Sequence, residues 1–131
     1  MANDPNMPKI KAALATGMKN VKALQDAGVR IAFGTDSGAQ PVRIQGFAEH
    51  RELELLVRAG LTPMQALTAA SRGNAAMLGA ADRGTIEKGK RADFVVLAAN
   101  PLEDIRNTRQ LVSIWHGGRE VQPRARAVAT K

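Results

Sequence analysis

At 131 residues the chain is long enough for one modest domain and well short of the roughly 250 residues of a whole α/β barrel. Its 44% hydrophobic and 24% charged residues are ordinary for a globular protein, no window approaches the apolar length that crosses a bilayer, and the absence of cysteine excludes disulfides and thiolate metal sites. The net charge of +7 is mixed with acids along most of the chain, and gathers only near the carboxyl end at Arg119, Arg124, Arg126 and Lys131, the last three in a basic tail over residues 123–131. With 3% aromatic residues there is no stacking platform for single strands, so neither nucleic acid nor a membrane is an expected partner. The first six residues show neither the basic region nor the apolar core of a secretory signal, and a cytoplasmic location is the expectation.

Residues 8–27 read as helix, with Pro8 in a permitted first-turn position and Ala12, Ala13, Leu14, Met18, Val21 and Leu24 forming an approximate apolar stripe. Gly17 weakens its middle, which leaves open one helix or two short ones. Gly28 can end it in the left-handed conformation. Val29, Ile31 and Phe33 then alternate between Gly28 and Gly34, the pattern of a short buried strand. Asp36 lies just past its carboxyl end, where α/β architectures carry chemistry. On local pattern alone Asp36 is open to two readings, a functional acid or an ordinary turn residue.

A loop over residues 37–46 follows, with Arg43 as its only charge, and then a helix from Phe47 to Ala59. Phe47, Leu53, Leu56 and Val57 can share a face of that helix, leaving Glu49, Arg51, Glu52 and Arg58 largely solvated. His50, one turn before Glu54, reads as a hydrogen-bonded or surface histidine in preference to a metal ligand. Thr62-Pro63-Met64-Gln65 is a strong helix start, with Thr as N-cap, Pro first and Gln third. The periodicity of Leu67, Ala70, Asn74, Met77 and Leu78 carries this helix to about Leu78, with Gly79 closing it and Met64 and Met77 filling core.

From Gly84 the pattern becomes that of strands. Residues 85–89 read as a short strand entering a turn, and Phe94 to Leu97 as a strand broken by Asn100-Pro101. Leu111 to Trp115 and Arg119 to Val121 flank Gly117-Gly118, a two-residue hairpin signal, with Trp115 packed and His116 exposed beside the turn. The expected division is an α/β part over residues 1–80, a β part over 81–122 and the basic tail.

The ordered landmarks GVRIAFGTDSGA, EHRELELLVRAGLTPMQALTAASRGNAAMLG, GTIEKGKRADFVVLAANPLEDI and IWHGGREV resemble the carboxyl-terminal part of metal-dependent amidohydrolases, close to imidazolonepropionase and Xaa-Pro dipeptidase-like members. The resemblance implies an α/β fragment of a distorted TIM barrel, with its last strand and helices, plus part of a small β-sandwich. It implies a divalent metal, usually zinc, in the complete site. Asp36 would be the catalytic and metal-binding aspartate after the eighth strand, and a carboxylate so placed can ligate the metal and take a proton from its water. Ser37 and Arg43, in the following loop, would help shape the pocket for a small amide, cyclic amide or dipeptide.

The family site also draws on histidines and a lysine or glutamate from earlier strands, and no such strands occur here. His50 and His116 lie in the wrong elements to replace them. One carboxylate cannot build the three-ligand zinc site of a hydrolase, so the chain alone is expected to be inactive. Two alternatives accompany the hydrolase reading: a non-catalytic module that joins a partner supplying the rest of the barrel, and a basic nucleic-acid binder. Exposed strand edges make self-association, or association with the missing barrel part, the expected behaviour.

Overall fold

The computed structural model describes residues 5–38 and 43–122, so the basic tail over residues 123–131 and part of the loop after Asp36 lie outside the described residues. Three helical stretches are followed by a small antiparallel sheet. The first is α1 (Met7–Asp26), with Pro8 in its first turn, and it runs unbroken through Gly17. At its end Gly28, with φ 76°, lets its N–H reach the Gln25 carbonyl at 3.1 Å and the Val29 N–H reach Leu24 at 3.0 Å. These paired bonds satisfy carbonyls that the helix end would leave open. The same closure recurs at Gly60 and Gly79, both with positive φ.

The segment 29–33 is not a strand among the described residues. Around Phe33 the chain is extended, its N–H and C=O both turned to one side toward the Asn74 amide, yet among the described residues no neighbouring strand pairs with it. The expected burial therefore fails at Val29, which is 47% exposed. Phe33 packs against the core, and its backbone is held by a side chain, as described below.

Helix α2 (Ala48–Arg58) buries Leu53 and Leu56. Helix α3 (Pro63–Thr68) begins with the expected capping box, in which the Thr62 hydroxyl accepts from the Gln65 N–H at 3.2 Å and the Gln65 side chain accepts from the Thr62 N–H at 2.8 Å. The helix does not continue in phase to Leu78. A π turn (Ala69–Gly73) intervenes before the short α4 (Asn74–Met77). The wider turn shifts everything after it by about one residue, roughly 100° around the axis. That shift overturns the predicted stripe at Met77, 62% exposed, and Leu78, 75% exposed; Met64, in the first turn of α3 and ahead of the shift, is exposed as well, so neither methionine fills core. Asn74 turns toward Phe33 instead.

The β part is smaller than its sequence suggests. Residues 85–89 form bends and a turn with no partner strand, and Ile86 is 86% exposed. The sheet consists of β1 (Phe94–Leu97), β2 (Leu111–His116) and β3 (Arg119–Glu120) in that order, all antiparallel, with a register shift between Val96 and Leu97. Gly117 and Gly118 both have positive φ, as the tight β2–β3 turn requires. Trp115 stacks on Phe94 with ring centroids 5.7 Å apart, and His116 is exposed. A 3₁₀ helix (Ile105–Arg109), not anticipated from the sequence, carries Ile105 into one core with Leu53, Leu56, Leu61 and Ala66. Among the described residues no helix is long and apolar enough to cross a membrane.

Candidate functional site around Asp36

Asp36 stands at the end of the extended segment with φ 55°, the only described non-glycine residue with positive φ. Aspartate tolerates that region better than most residues, and a strained backbone position of this kind is held only where its surroundings over-determine it. Here the determinant is Glu49, in the first turn of α2. One oxygen of Glu49 accepts from the Ser37 hydroxyl at 2.6 Å and the Thr35 hydroxyl at 3.2 Å, and the other accepts from the Gly46 N–H at 2.7 Å. The Thr35 hydroxyl also accepts from the Ser37 N–H at 3.1 Å. Both neighbours of Asp36 are thus tied to one carboxylate.

These bonds favour the ionised form, led by the one from Ser37, and they hold the Glu49 carboxyl below its ordinary pKa. Glu49 is half-buried, not solvated as its place in the helical pattern suggested. A signal for it exists in the sequence, because a Glu three residues after Gly46 can reach back to that N–H as in half a capping box. Asn74 was the other miss, a polar residue on an otherwise apolar stripe. Its Oδ1 accepts from the Phe33 N–H and its Nδ2 donates to the Phe33 carbonyl, both at 2.8 Å.

The Asp36 side chain is 79% exposed, and Arg43 donates to its Oδ2 at 3.0 Å across the loop. An ion pair this open contributes little to stability. Ser37, the other predicted pocket residue, points its hydroxyl to Glu49. A cleft of about 500 Å³ adjoins Asp36, lined by Arg43, Phe47, Arg51 and Glu52 among others. Burial pushes the Glu52 carboxyl up, with Arg43 partly opposing it. Glu52 is half-buried, which corrects its reading as a solvated residue.

His50 is not brought to Asp36. Its Nδ1 lies 3.1 Å from the Thr108 hydroxyl, which itself donates to the Ile105 carbonyl at 2.9 Å. Because that hydroxyl's proton is already used, Nδ1 must be the protonated nitrogen of His50. Burial, with help from the Arg109 charge, holds its pKa below the ordinary value. Arg109 spans two elements, donating from Nε to Glu54 at 2.8 Å and lying 4.5 Å above the Phe47 ring. Burial alone would raise the Glu54 carboxyl, but the bonds from Arg109 and Arg51 outweigh it and hold it low. His116 sits at the sheet hairpin, 3.2 Å from Asp93.

No group of three or more metal-ligating side chains occurs among the described residues. Asp36, with an arginine for a partner, supplies a single carboxylate, so these residues do not form a metal centre by themselves.

The sequence profile of the Amidohydrolase family matches residues 1–121. An imidazolonepropionase from Deinococcus deserti is 38% identical over 106 residues, which are 76% of this chain and 26% of that protein. A 5-methylthioadenosine/S-adenosylhomocysteine deaminase from Bacillus cytotoxicus is 35% identical over 103 residues, 74% of this chain and 23% of that protein. The crystal structure of a Xaa-Pro dipeptidase with methionine bound in its active site superposes on 81% of this chain and 25% of its own, with a TM-score of 0.73 and 31% identity. The chain thus spans about a quarter of the length of the relatives it matches. From the extended segment carrying Asp36 to the closing hairpin, this is a member of the amidohydrolase family.

Proposed function

We propose that this chain is the carboxyl-terminal portion of an amidohydrolase acting on C–N bonds of small amides, cyclic amides or dipeptides, and that it is catalytically incomplete alone. Residues 1–80 form the end of the distorted barrel, with 29–33 as its eighth strand, and 81–122 form part of the β-sandwich. Asp36 is the catalytic and metal-binding carboxylate of a zinc-type site whose other ligands come from polypeptide outside the described residues. Ser37 and Arg43 belong to the loop that shapes the substrate pocket. The observation that carries this reading is the placement of Asp36. It stands exposed at the carboxyl end of an extended segment, in a strained conformation that Glu49 maintains through both neighbours.

The test is hydrolysis of dipeptide and cyclic-amide substrates with added zinc. It is run on the chain alone and on a chimaera in which the chain replaces the matching quarter of the Deinococcus deserti imidazolonepropionase. The chain alone should show no turnover above the metal-only control. The chimaera should bind zinc and turn over, and Asp36→Asn should abolish that activity. Turnover by the chain alone would overturn incompleteness, and a chimaera indifferent to Asp36→Asn would overturn the role of Asp36.

A further inference from the structure

Helix α2 is gripped along one side by the 3₁₀ helix (Ile105–Arg109) of the sheet part. At about 100° of rotation per residue, Phe47, His50 and Glu54 fall within about 60° of one another around its axis. Each has a partner there. The protonated Nδ1 of His50 donates to the Thr108 hydroxyl across 3.1 Å, Arg109 donates to Glu54 at 2.8 Å, and the same guanidinium lies 4.5 Å over the Phe47 ring. Thr108 is buried and its own proton goes to the Ile105 carbonyl, so the bond from His50 has one possible direction. Contacts spread over about two turns leave α2 little freedom to roll.

Glu49 comes one residue before His50, about 100° around the same helix, and its carboxylate holds Thr35, Ser37 and Gly46. A roll of α2 by about 20°, at a side-chain radius of about 6 Å, would carry that carboxylate about 2 Å. The bonds of 2.6 and 2.7 Å from Ser37 and Gly46 do not survive such a shift. We propose that His50 and Thr108 are positioning residues for Asp36: by fixing the roll of α2 they keep Glu49 bonded to both neighbours of a backbone that stands at φ 55°. The sheet part thereby bears on the aim of a carboxylate in the helical part. Every link in this path joins described residues. The positioning is independent of the proposed function, whereas its consequence for hydrolysis rests on that reading.

The test is amide hydrogen exchange on the intact chain, read residue by residue. In His50→Phe and in Thr108→Val the Gly46 and Ser37 amides should exchange on the order of ten-fold or more faster, while the Phe33 amide, held by Asn74, keeps its protection. Thr108→Ser, which retains the hydroxyl, should restore both loop amides, and the double variant should be no worse than the weaker single one. Loop amides unmoved by either substitution, or Phe33 loosened as much as they are, would overturn the proposal, the second because it marks general destabilisation. The unmodified chain decides the matter even where a variant fails to fold. In urea below the unfolding transition, Gly46 and Ser37 should lose protection no later than the Asn107 and Gln110 amides of the 3₁₀ helix, and loop amides that outlast them would overturn it. In the imidazolonepropionase chimaera, Thr108→Val should lower kcat about 10- to 100-fold with KM unchanged, and Thr108→Ser should restore it. An unmodified chimaera without turnover would count against the hydrolase reading and leave the exchange result standing.

Discussion

Asn74 holds Phe33 as a neighbouring strand would, with one side-chain amide bonded at 2.8 Å to both the N–H and the C=O of a residue 41 positions earlier. Removing it leaves two half-buried backbone groups without partners. Asn74→Ala should cost about 2–3 kcal/mol, the range for losing such bonds without replacement. Asn74→Asp keeps the acceptor, loses the donor and sets a carboxylate against the Phe33 carbonyl, so it should restore little. Urea denaturation of the three proteins, with Trp115 fluorescence as the probe, measures the differences.

Glu49 makes the Asp36 loop sensitive to acid. Its folded-state pKa lies below the ordinary value of 4.5, because Ser37, Gly46 and Thr35 donate to the ionised carboxylate. A depressed carboxylate contributes stability that is present above the unfolded pKa and is lost as pH falls through the folded one. Stability should therefore decline below about pH 4.5, and Glu49→Gln should flatten that part of the profile. Denaturation midpoints collected from pH 3 to pH 7 test this, and an unchanged slope in the variant would count against it.

Glu52 should act with the opposite sign. Burial raises its pKa, so the folded state binds the proton more tightly than the unfolded state does, and stability is lost as pH rises through the window above 4.5. Glu52→Gln should stabilise the chain at neutral pH by less than about 1 kcal/mol, and the gain should vanish in acid. Paired thermal melts at pH 4 and pH 7 provide the check.

Gly84 joins the helical part to the sheet at close quarters. It has φ 89°, and a Cβ there would lie 2.5 Å from the Ala75 Cβ and 3.1 Å from the Arg72 backbone. Gly84→Ala adds overpacking to a left-handed backbone, and should cost about 2–4 kcal/mol. Gly17→Ala, in open space within α1, should instead stabilise by up to about 1 kcal/mol. Chemical denaturation of both variants contrasts the two sites.

Metal affinity follows from the ligand count. With Asp36 as a lone carboxylate paired to Arg43, zinc should bind the isolated chain weakly and be stripped by mild chelation. Calorimetry showing a tight one-to-one site, lost in Asp36→Asn, would contradict this.

Local chemistry was legible in the sequence wherever one or two neighbouring residues decide the backbone. Gly28 and Gly79 close helices because only glycine adopts their φ without strain, Thr62 and Gln65 cap α3 across one turn, and Gly117-Gly118 set the hairpin. Asp36 was picked out by its place after an apolar alternation. The tertiary structure decided what depends on contacts between distant segments. Alternation at residues 29–33 specifies an extended chain, but a strand also requires a partner, and the partner here is the side-chain amide of Asn74, the residue that follows the π turn. That turn also broke the helical phase that had placed Met77 and Leu78 inside. Glu49 looked solvated on the helical wheel because the hydroxyls of Thr35 and Ser37 reach it only once the loop folds back over α2. Periodicity reports which face of an element is apolar, whereas a hydrogen bond across the fold depends on where two elements meet, and no local pattern encodes that meeting.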